Sequence, residues 1–321
     1  MSAPFLELRE AIDRHIETVV DSCPYPASLY DPIRYVMRVG GKRVRPLLVL
    51  LAARSLGARD EEVLDVAAAV ELLHTFTLVH DDIMDRDELR RGQPTIHARW
   101  DEGTAILAGD ALIGLAYRCL ARQDSPRLGG MIRTFTDAVV EVCEGQALDK
   151  EFEGRDVTLR EYEDMIARKT GRLISMSARI GALCAGADEE RAAALEGFGA
   201  SLGKAFQIQD DLLDYFSSTG ELGKAVGSDL AMHKATYATL KGRRLLEGPA
   251  GRRLEELLRD GRPEGMGELR GLLEAGGVPQ SGHAEVERLA GEARAALARV
   301  LPPERRGELE RFADWILNRT Y

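Results

Sequence analysis

Apolar residues recur at helical spacing along almost the whole 321-residue chain, and this pattern limits the fold more than any other feature. In EEVLDVAAAVELLHTFTLVHDDIMD, residues 61–85, the large apolar side chains fall along helical stripes. The same pattern recurs in GTAILAGDALIGLAYRCLA and in RAAALEGFGASLGKAFQIQDDLLDYF. Short turns separate these stretches, and no convincing run of alternating β-branched residues indicates a strand. The sequence predicts an all-α protein.

The domain organisation follows from where the turn-rich segments lie. No linker rich in proline, glycine or serine divides the chain before about residue 242. Beyond it, KGRRLLEGPAGRR, RDGRPEGMG and EAGGVPQSGH interrupt shorter helices. These breaks could mark a C-terminal subdomain. We favour a single domain over residues 1–321, with residues 242–321 forming looser C-terminal helices, because the candidate site residues spread along the chain must converge.

The charge balance excludes some classes of partner. A net charge of −10 and a pI near 5.3 argue against general affinity for nucleic acid or anionic lipid, so an anionic ligand needs local basic clusters or metal ions. The four cysteines lack metal-type spacing and are interpreted as reduced core residues. The N-terminal stretch lacks the apolar region of a signal peptide, and no stretch reaches the roughly 20 uninterrupted apolar residues of a transmembrane segment. A cytoplasmic location is expected.

Two aspartate-rich motifs stand out, one in HDDIMDRDELRRG and one in FQIQDDLLD. Like charges one turn apart weaken an isolated helix by roughly 0.2–0.5 kcal/mol per pair, so the clusters need a counter-charge. In a helical DDxxD motif the first and fifth positions share a face, which places two carboxylates side by side. Such hard oxygen ligands suit Mg²⁺ shared with substrate phosphates, and the alternative is a solvated acidic face. The candidate metal ligands are Asp81, Asp82, Asp85, Asp210, Asp211 and Asp214.

Basic residues accompany both acidic motifs. GGKRVRP combines a glycine turn with Lys42, Arg43 and Arg45, and a helix start with adjacent arginines forms an anion site because N–H groups and guanidinium groups both match phosphate oxygens. His74, on an apolar helix, is either a core residue or a ligand contact. Any single one of these basic residues is better explained as a solvated charge, but their clustering beside both acidic motifs indicates an anion. The remaining candidates are Arg90, Arg91, Lys169, Lys224 and Lys234, with Thr170 beside Lys169.

Taken together, GGKRVRP, ELLHTFTLVHDDIMDRDELRRG, KTG, GKAFQIQDDLLD and GKAVGSDL resemble the motifs of the trans-isoprenyl diphosphate synthases, or polyprenyl synthetases, in order and spacing. The resemblance covers about residues 30–240. It implies a large antiparallel helical bundle around a central cavity, the isoprenoid synthase type I fold, usually as a homodimer. It also implies head-to-tail condensation of isopentenyl diphosphate (IPP) with a C5–C15 allylic diphosphate, with three Mg²⁺ ions bound alongside substrate.

The resemblance also implies roles for individual residues. The residues expected to carry catalysis are Asp81, Asp85, Asp210, Lys169 and Lys224, with Asp82, Asp211 and Asp214 supporting the metal site. The residues expected to bind IPP are Gly41, Lys42, Arg45, His74 and Arg91. The residues expected to bind the allylic diphosphate are Arg90, Lys169, Thr170, Gln207, Lys224 and Lys234.

Product length depends, in this family, on the fifth residue before the first motif, which is Phe76 in this chain. It lies roughly 7.5 Å from Asp81 along the helix axis. An aromatic floor with Thr77 beside it resembles synthases of short products, and the motif lacks the two-residue insertion common in bacterial C15 enzymes. These features favour C20 geranylgeranyl diphosphate over C15 farnesyl diphosphate, although Phe76 could also be an ordinary core residue.

Two other functions are considered. A class I terpene cyclase also uses an aspartate-rich motif and Mg²⁺, but it has no second diphosphate substrate, so GGKRVRP and His74 would lack a purpose. A non-catalytic partner subunit of a true synthase would be expected to have lost aspartates or basic residues, and these are intact in this chain.

Overall fold

The computed structural model describes residues 3–153, 155–217, 230 and 232–318. These residues are predominantly helical, which confirms the predicted all-α class. The helices are α1 Ala3–Asp21, α2 Ala27–Arg38, α3 Val44–Ser55, α4 Leu64–Asp85, α5 Ile96–Arg99, α6 Glu102–Leu120, α7 Leu128–Phe152, α8 Leu159–Ile166, α9 Arg172–Cys184, α10 Glu189–Phe216, α11 Tyr237–Leu245, α12 Gly248–Asp260, α13 Met266–Ala275, α14 Val278–Val300 and α15 Pro303–Leu317. Shorter elements are the 3₁₀ turns Asp60–Glu62 and Pro263–Gly265, the π-helical segment Ala167–Gly171, and strands β1 Leu89–Arg90 and β2 Gln93–Pro94.

Side-chain caps fix the start of several helices. Asp101 precedes α6, and its carboxylate accepts a hydrogen bond from the backbone N–H of Thr104 at 2.8 Å. At α8, the hydroxyl of Thr158 accepts from the backbone N–H of Glu161 at 3.2 Å, and the Glu161 carboxylate accepts from the backbone N–H of Thr158 at 2.8 Å. These contacts satisfy N–H groups that have no partner within the helix.

The sequence did not indicate the short hairpin of β1 and β2. Leu89 pairs with Pro94 and Arg90 with Gln93 in an antiparallel register. Arg91 and Gly92 form the two-residue loop, and both have positive φ, at 53° and 73°. Such loops match the twist of a hairpin, but strands of two residues are too short to give an alternating pattern.

One compact unit comprises the described residues of Met1–Val139, Met176–Glu196 and Leu297–Phe312. Helix α4 is at its centre and packs along α6 and against α3. Every residue from Leu47 to Ala53 in α3, and from Val66 to Leu73 in α4, is buried. Because both stretches are buried on all sides, their apolar residues extend around the helix beyond the predicted stripes, with Glu71 as the buried charged exception.

The other compact unit comprises the described residues of Val140–Ser175, Gly197–Ala296 and Ala313–Tyr321. Its core joins large side chains from α8 and α10 to leucines of the later helices, with Tyr162, Tyr215, Leu254 and Leu273 among the most buried. Most of the helices predicted to be looser belong to this unit, and they contribute buried leucines to its core. The assignment of residues 1–321 to a single domain stays a prediction.

The composition of α6 bears on the expected location of the protein. In the described part of the chain, α6 is the one helix long and apolar enough to be considered for a membrane span, and it is weak evidence because core helices pass the same test. Its packing along α4 fits a core helix.

Cys23 and Cys119 are buried as predicted, whereas Cys143 is exposed on α7, so the core assignment was wrong for Cys143.

Close packing of α9 on α3 depends on Gly181. A methyl group at this position would overlap the carbonyl oxygen of Val49. We expect Gly181→Ala to lower the free energy of unfolding by about 1–3 kcal/mol, because overpacking a tight contact forces backbone shifts. The control is Gly291→Ala in α14, where nothing lies within 4 Å and a modest gain in helix stability is expected. Urea unfolding measures both, and equal effects would contradict the packing argument.

Candidate active site

The first aspartate-rich motif occupies the last turns of α4. The helix ends at Asp85, and Arg86 follows in the left-handed conformation with φ of 57°. Asp81 and Asp85 are half-buried and share a helix face, whereas Asp82 is only 4% exposed. The motif therefore presents its first and fifth carboxylates together and turns its second one inward.

Asp82 connects α4 to the hairpin. The Nε of Arg90 donates to the Asp82 carboxylate at 2.5 Å, and an Arg90 amino group lies 3.7 Å from Asp87. Burial raises the pKa of Asp82 to about 6, although the Arg90 guanidinium opposes this shift. Asp82 therefore fixes the position of Arg90.

The GGKRVRP loop lies between α2 and α3, and its arginines point in different directions. Arg43 is 6% exposed and donates to Glu71 at 2.6 Å, to Asp13 at 2.8 Å and to the carbonyl of Met37 at 2.8 Å. Its guanidinium is thus committed to internal partners, and the expectation that Arg43 supplies charge to an anion is wrong. Lys42, next to it, is exposed.

Arg45 and His74 form the second connection of this loop to α4. Arg45 donates to Nε2 of His74 at 2.9 Å, and because an arginine cannot accept, the imidazole accepts there and carries its proton on Nδ1. Burial, reinforced by Arg45 and Arg91, holds the pKa of His74 well below its ordinary value. Burial also lowers the pKa of Arg45 to about 10, which leaves it charged at neutral pH. The Nδ1 atom is buried with no hydrogen-bond partner in the described residues.

The hairpin brings Arg91 onto the glycine turn. A Cβ added to Gly41 would lie 2.6 Å from one Arg91 amino nitrogen and 2.9 Å from its guanidinium carbon. The hairpin is held from outside by Tyr35, whose hydroxyl donates to the carbonyl of Pro94 at 2.7 Å. Glycine is therefore required at position 41, because a side chain there would overlap the guanidinium of Arg91. Four of the five residues predicted to bind IPP form two contacts, Gly41 with Arg91 and Arg45 with His74. The fifth, Lys42, is exposed.

The second aspartate-rich motif lies near the end of α10 and repeats the first motif at its first two positions but not at its fifth. Asp210 is half-buried, while Asp211 and Asp214 are 4% and 7% exposed. Asp211 accepts from the hydroxyl of Tyr162 at 2.5 Å, from the backbone N–H of Tyr237 at 2.7 Å and from Gln207 at 2.8 Å. The second aspartate is again an internal acceptor that ties neighbouring elements together.

The predicted KTG motif lies in the π-helical segment Ala167–Gly171 between α8 and α9. Lys169 forms an ion pair with Asp149 of α7. The hydroxyl of Thr170 donates to the amide oxygen of Gln207 at 2.8 Å, which extends the network of Asp211. Single π-helical turns are frequent at functional sites because they redirect side chains within a helix.

The remaining predicted residues are distributed as follows. Lys234 is half-buried in the segment that precedes α11, and Lys224 lies outside the described residues. Phe76 and Thr77 are half-buried on α4. The ring of Phe76 contacts the imidazole of His80, with centroids 4.7 Å apart.

Sequence reasoning missed the acidic residues that hold the basic ones. Glu71 and Asp149 face Arg43 and Lys169. Glu71 begins the motif ELLHTFTLVHDDIMDRDELRRG but was assigned no role, and Asp149 lies outside the quoted motifs. Glu71 had one usable signal, because a lone carboxylate in an apolar helix requires a buried cationic partner. Tyr162, the buried donor to Asp211, gave no signal beyond its apolar surroundings.

The donor chemistry fits Mg²⁺, although the protein does not provide a complete shell by itself. In the described ranges, no group of three or more histidine, cysteine, aspartate or glutamate side chains could hold a metal ion. Mg²⁺ usually binds through one or two carboxylates and completes its shell with water and substrate phosphates. Asp81 and Asp85 on one face of α4 are suited to that mode of binding.

A family model described as polyprenyl synthetase matches residues 26–275. The chain therefore belongs to the polyprenyl synthetase family, which confirms the resemblance inferred from the motifs. It is 39% identical over 298 residues to the short chain isoprenyl diphosphate synthase of Methanothermobacter thermautotrophicus, with 92% of each chain covered.

Solved structures agree with this assignment. A crystal structure of a geranylgeranyl pyrophosphate synthase matches with a TM-score of 0.93 and 35% identity over 100% of both chains. A polyprenyl synthase from Caulobacter crescentus, solved with calcium and isoprenyl diphosphate, matches with a TM-score of 0.87 and 30% identity, covering 99% of this chain and 97% of that one.

Glu71 provides a test of the buried charge network. Removing one partner of a buried ion pair leaves the other charge uncompensated, so we expect Glu71→Ala to lower the free energy of unfolding by about 3–5 kcal/mol. The control is Glu256→Ala, which breaks an exposed ion pair of 2.9 Å with Arg253 and should leave the urea unfolding midpoint unchanged. If both variants unfold at the wild-type midpoint, the Arg43–Glu71 pair does not stabilise the loop.

Proposed function

We propose that the protein is a Mg²⁺-dependent trans-prenyltransferase that condenses IPP head to tail with allylic diphosphates to geranylgeranyl diphosphate, C20. The observation that carries the proposal is the repeated construction of the two DDxxD motifs. In each, the second aspartate is a buried hydrogen-bond acceptor, and the first is half-buried at the helix surface. Membership of the polyprenyl synthetase family and the likeness to a geranylgeranyl pyrophosphate synthase support the reaction and its product.

In this proposal the metal ligands are the first aspartate of each motif and the fifth-position aspartate of the first motif. Asp81, Asp85 and Asp210 bind Mg²⁺ on the allylic diphosphate, and three ions are expected with substrate bound. Asp82 and Asp211 act chiefly by holding Arg90 and Gln207 in place, since their oxygens already accept from these donors. Bound Mg²⁺ neutralises the negative charge that develops on the departing pyrophosphate.

IPP binds to the basic groups around the glycine turn. Lys42, Arg45 and Arg91 supply positive charge for the IPP diphosphate, and Gly41 leaves the space that Arg91 occupies. His74 is neutral, so it orients Arg45 through Nε2 and retains an N–H on Nδ1 as a donor. His74 does not gain or lose a proton near neutral pH, so its charge stays constant. The same arrangement holds IPP and aligns it for attack.

The allylic diphosphate is held by a second group of basic and polar residues, namely Arg90, Lys169, Thr170, Gln207, Lys224 and Lys234. As its C–O bond breaks, negative charge accumulates on the leaving pyrophosphate, and fixed cationic groups stabilise that charge without reorganisation. Asp149 holds the Lys169 ammonium in place before substrate arrives. The allylic cation must be kept from water by apolar walls until IPP attacks it.

Phe76 is the proposed floor of the elongation channel, with Thr77 beside it. A half-buried aromatic ring one and a half turns before Asp81 leaves an accessible face that a growing chain can meet. A ring at this depth favours a short product, C20, and farnesyl diphosphate is the second candidate because the same ring could stop a C15 chain.

The protein is further proposed to act as a homodimer in the cytoplasm. Ile106 and Leu107 of α6 are 41% and 62% exposed, and a second copy of the chain would cover such apolar side chains.

The proposed activity is tested by product analysis. Purified protein is incubated with Mg²⁺, labelled IPP and, separately, C5, C10 and C15 allylic diphosphates, and product lengths are resolved by chromatography. We expect chains that end at C20 with every starter. A C15 end point would select the second candidate, and no IPP incorporation with any starter would contradict the proposed reaction.

Two measurements on the same variants, kcat and the urea unfolding midpoint, distinguish metal-binding aspartates from structural ones. Asp81→Asn and Asp210→Asn should reduce kcat by about 10²-fold or more, because they weaken stabilisation of the leaving group, while their urea midpoints stay near wild type. Asp211→Asn should instead lower the unfolding midpoint, since it removes the charge that faces three donors. Asp137→Asn, at an exposed position on α7, is the control. Wild-type kcat in Asp81→Asn would contradict the metal assignment.

A further inference from the structure

The imidazole of His80 lies directly on the backbone of α6. A Cβ added to Gly109 would overlap the imidazole ring, and the closest ring atom is Nε2. The same Nε2 lies 3.4 Å from the carbonyl oxygen of Ile106 and 3.9 Å from the carboxylate of Asp110. The absence of a side chain at position 109 therefore determines how close the imidazole approaches α6.

The same imidazole contacts the side chain proposed as the channel floor. His80 lies one turn after Phe76 on α4, and helical side chains lean toward the N-terminus, so its ring is directed back over Phe76. The ring centroids are 4.7 Å apart with an interplanar angle of 60°, an edge-to-face contact. Phe76 is half-buried, so it keeps some accessible surface while the imidazole contacts its ring.

We propose that His80 and Gly109 set the length of the prenyl product by fixing the position of the Phe76 ring. This inference rests on the proposed function, in which Phe76 ends chain growth. His80 is a positioning residue that acts through Phe76, and Gly109 determines where the imidazole lies. Neither residue belongs to the sets proposed to bind metal or diphosphate.

The direction of each effect follows from the contacts. Removing the imidazole leaves space beside α6 into which the Phe76 ring can move, which deepens the channel. A methyl group at position 109 forces the imidazole away from α6 and toward Phe76, which makes the channel shallower. The two substitutions should therefore change product length in opposite directions, although they act on the same contact.

The experiment measures product length with Mg²⁺, excess labelled IPP and a C10 starter. For His80→Ala we expect a main product one isoprene unit longer than wild type, and for Gly109→Ala one unit shorter. Phe76→Ala should lengthen the product as well. The double variant Phe76→Ala/His80→Ala should give the product of Phe76→Ala alone, because His80 has no ring left to support.

Two further variants control for folding. Gly114→Ala lies on the same helix with nothing within 4 Å and should give the wild-type product. If Gly109→Ala fails to fold, Gly109→Ala/His80→Ala removes the overlap and should fold and give the product of His80→Ala. Product length is the decisive readout, because a loss of stability lowers yield without changing where chains end.

The outcomes separate the inference from the function on which it rests. Wild-type products from both His80→Ala and Gly109→Ala, with a longer product from Phe76→Ala, would overturn the inference and leave Phe76 as the floor. A further lengthening in the double variant would overturn the positioning role, since His80 would then line the channel itself. Unchanged products from Phe76→Ala would overturn the floor and the inference together, and absence of IPP incorporation by the wild-type protein would overturn the proposed function.

Discussion

The burial of Glu71 beneath the arginines of the glycine loop is the interaction on which the proposed IPP site depends. The guanidinium of Arg43 pairs with Glu71, with Asp13 and with a backbone carbonyl. A buried pair of this kind contributes little net stability, but it defines one arrangement, because any other leaves a charge without a partner. The loop is therefore held in a single conformation before substrate arrives, and Arg45 and Arg91 occupy fixed positions around it.

The same division of labour recurs in both aspartate-rich motifs. In both motifs the second carboxylate is buried, where Asp82 holds Arg90 and Asp211 holds Gln207, and Asp214 of the second motif is buried as well. Electrostatic catalysis depends on groups that do not reorganise when charge develops, so acidic residues that orient cationic and polar ones contribute without touching substrate. Asp149 does the same for Lys169, because the ion pair holds the long side chain of Lys169 in one position beside the π-helical segment.

The sequence was sufficient for the helical class, the family and the residues that lie in motifs, because these depend on period and spacing. It could not distinguish Arg43 from Arg45, which differ by two positions in one motif but turn to an internal carboxylate and to His74 respectively. Arg43 precedes α3 in a left-handed conformation with φ of 49°, whereas Arg45 lies in the first turn of the helix, and only packing decides which of the two side chains points to the interior. The hairpin that carries Arg91 was missed for another reason, since two-residue strands have no period to detect.

Helix α4 carries Glu71, His74, Phe76, His80 and the first motif on one continuous element. Because a helix rises by about 1.5 Å per residue, the position of a side chain along α4 determines its distance from the aspartates at the end of the helix. If a bulky side chain on this helix ends chain growth, as proposed for Phe76, moving that side chain by one turn would shift the end point by about 5.4 Å without moving the aspartates. In this proposal, bond formation and product length depend on different parts of one helix, so few substitutions would change product size while the residues that make the bond stay the same.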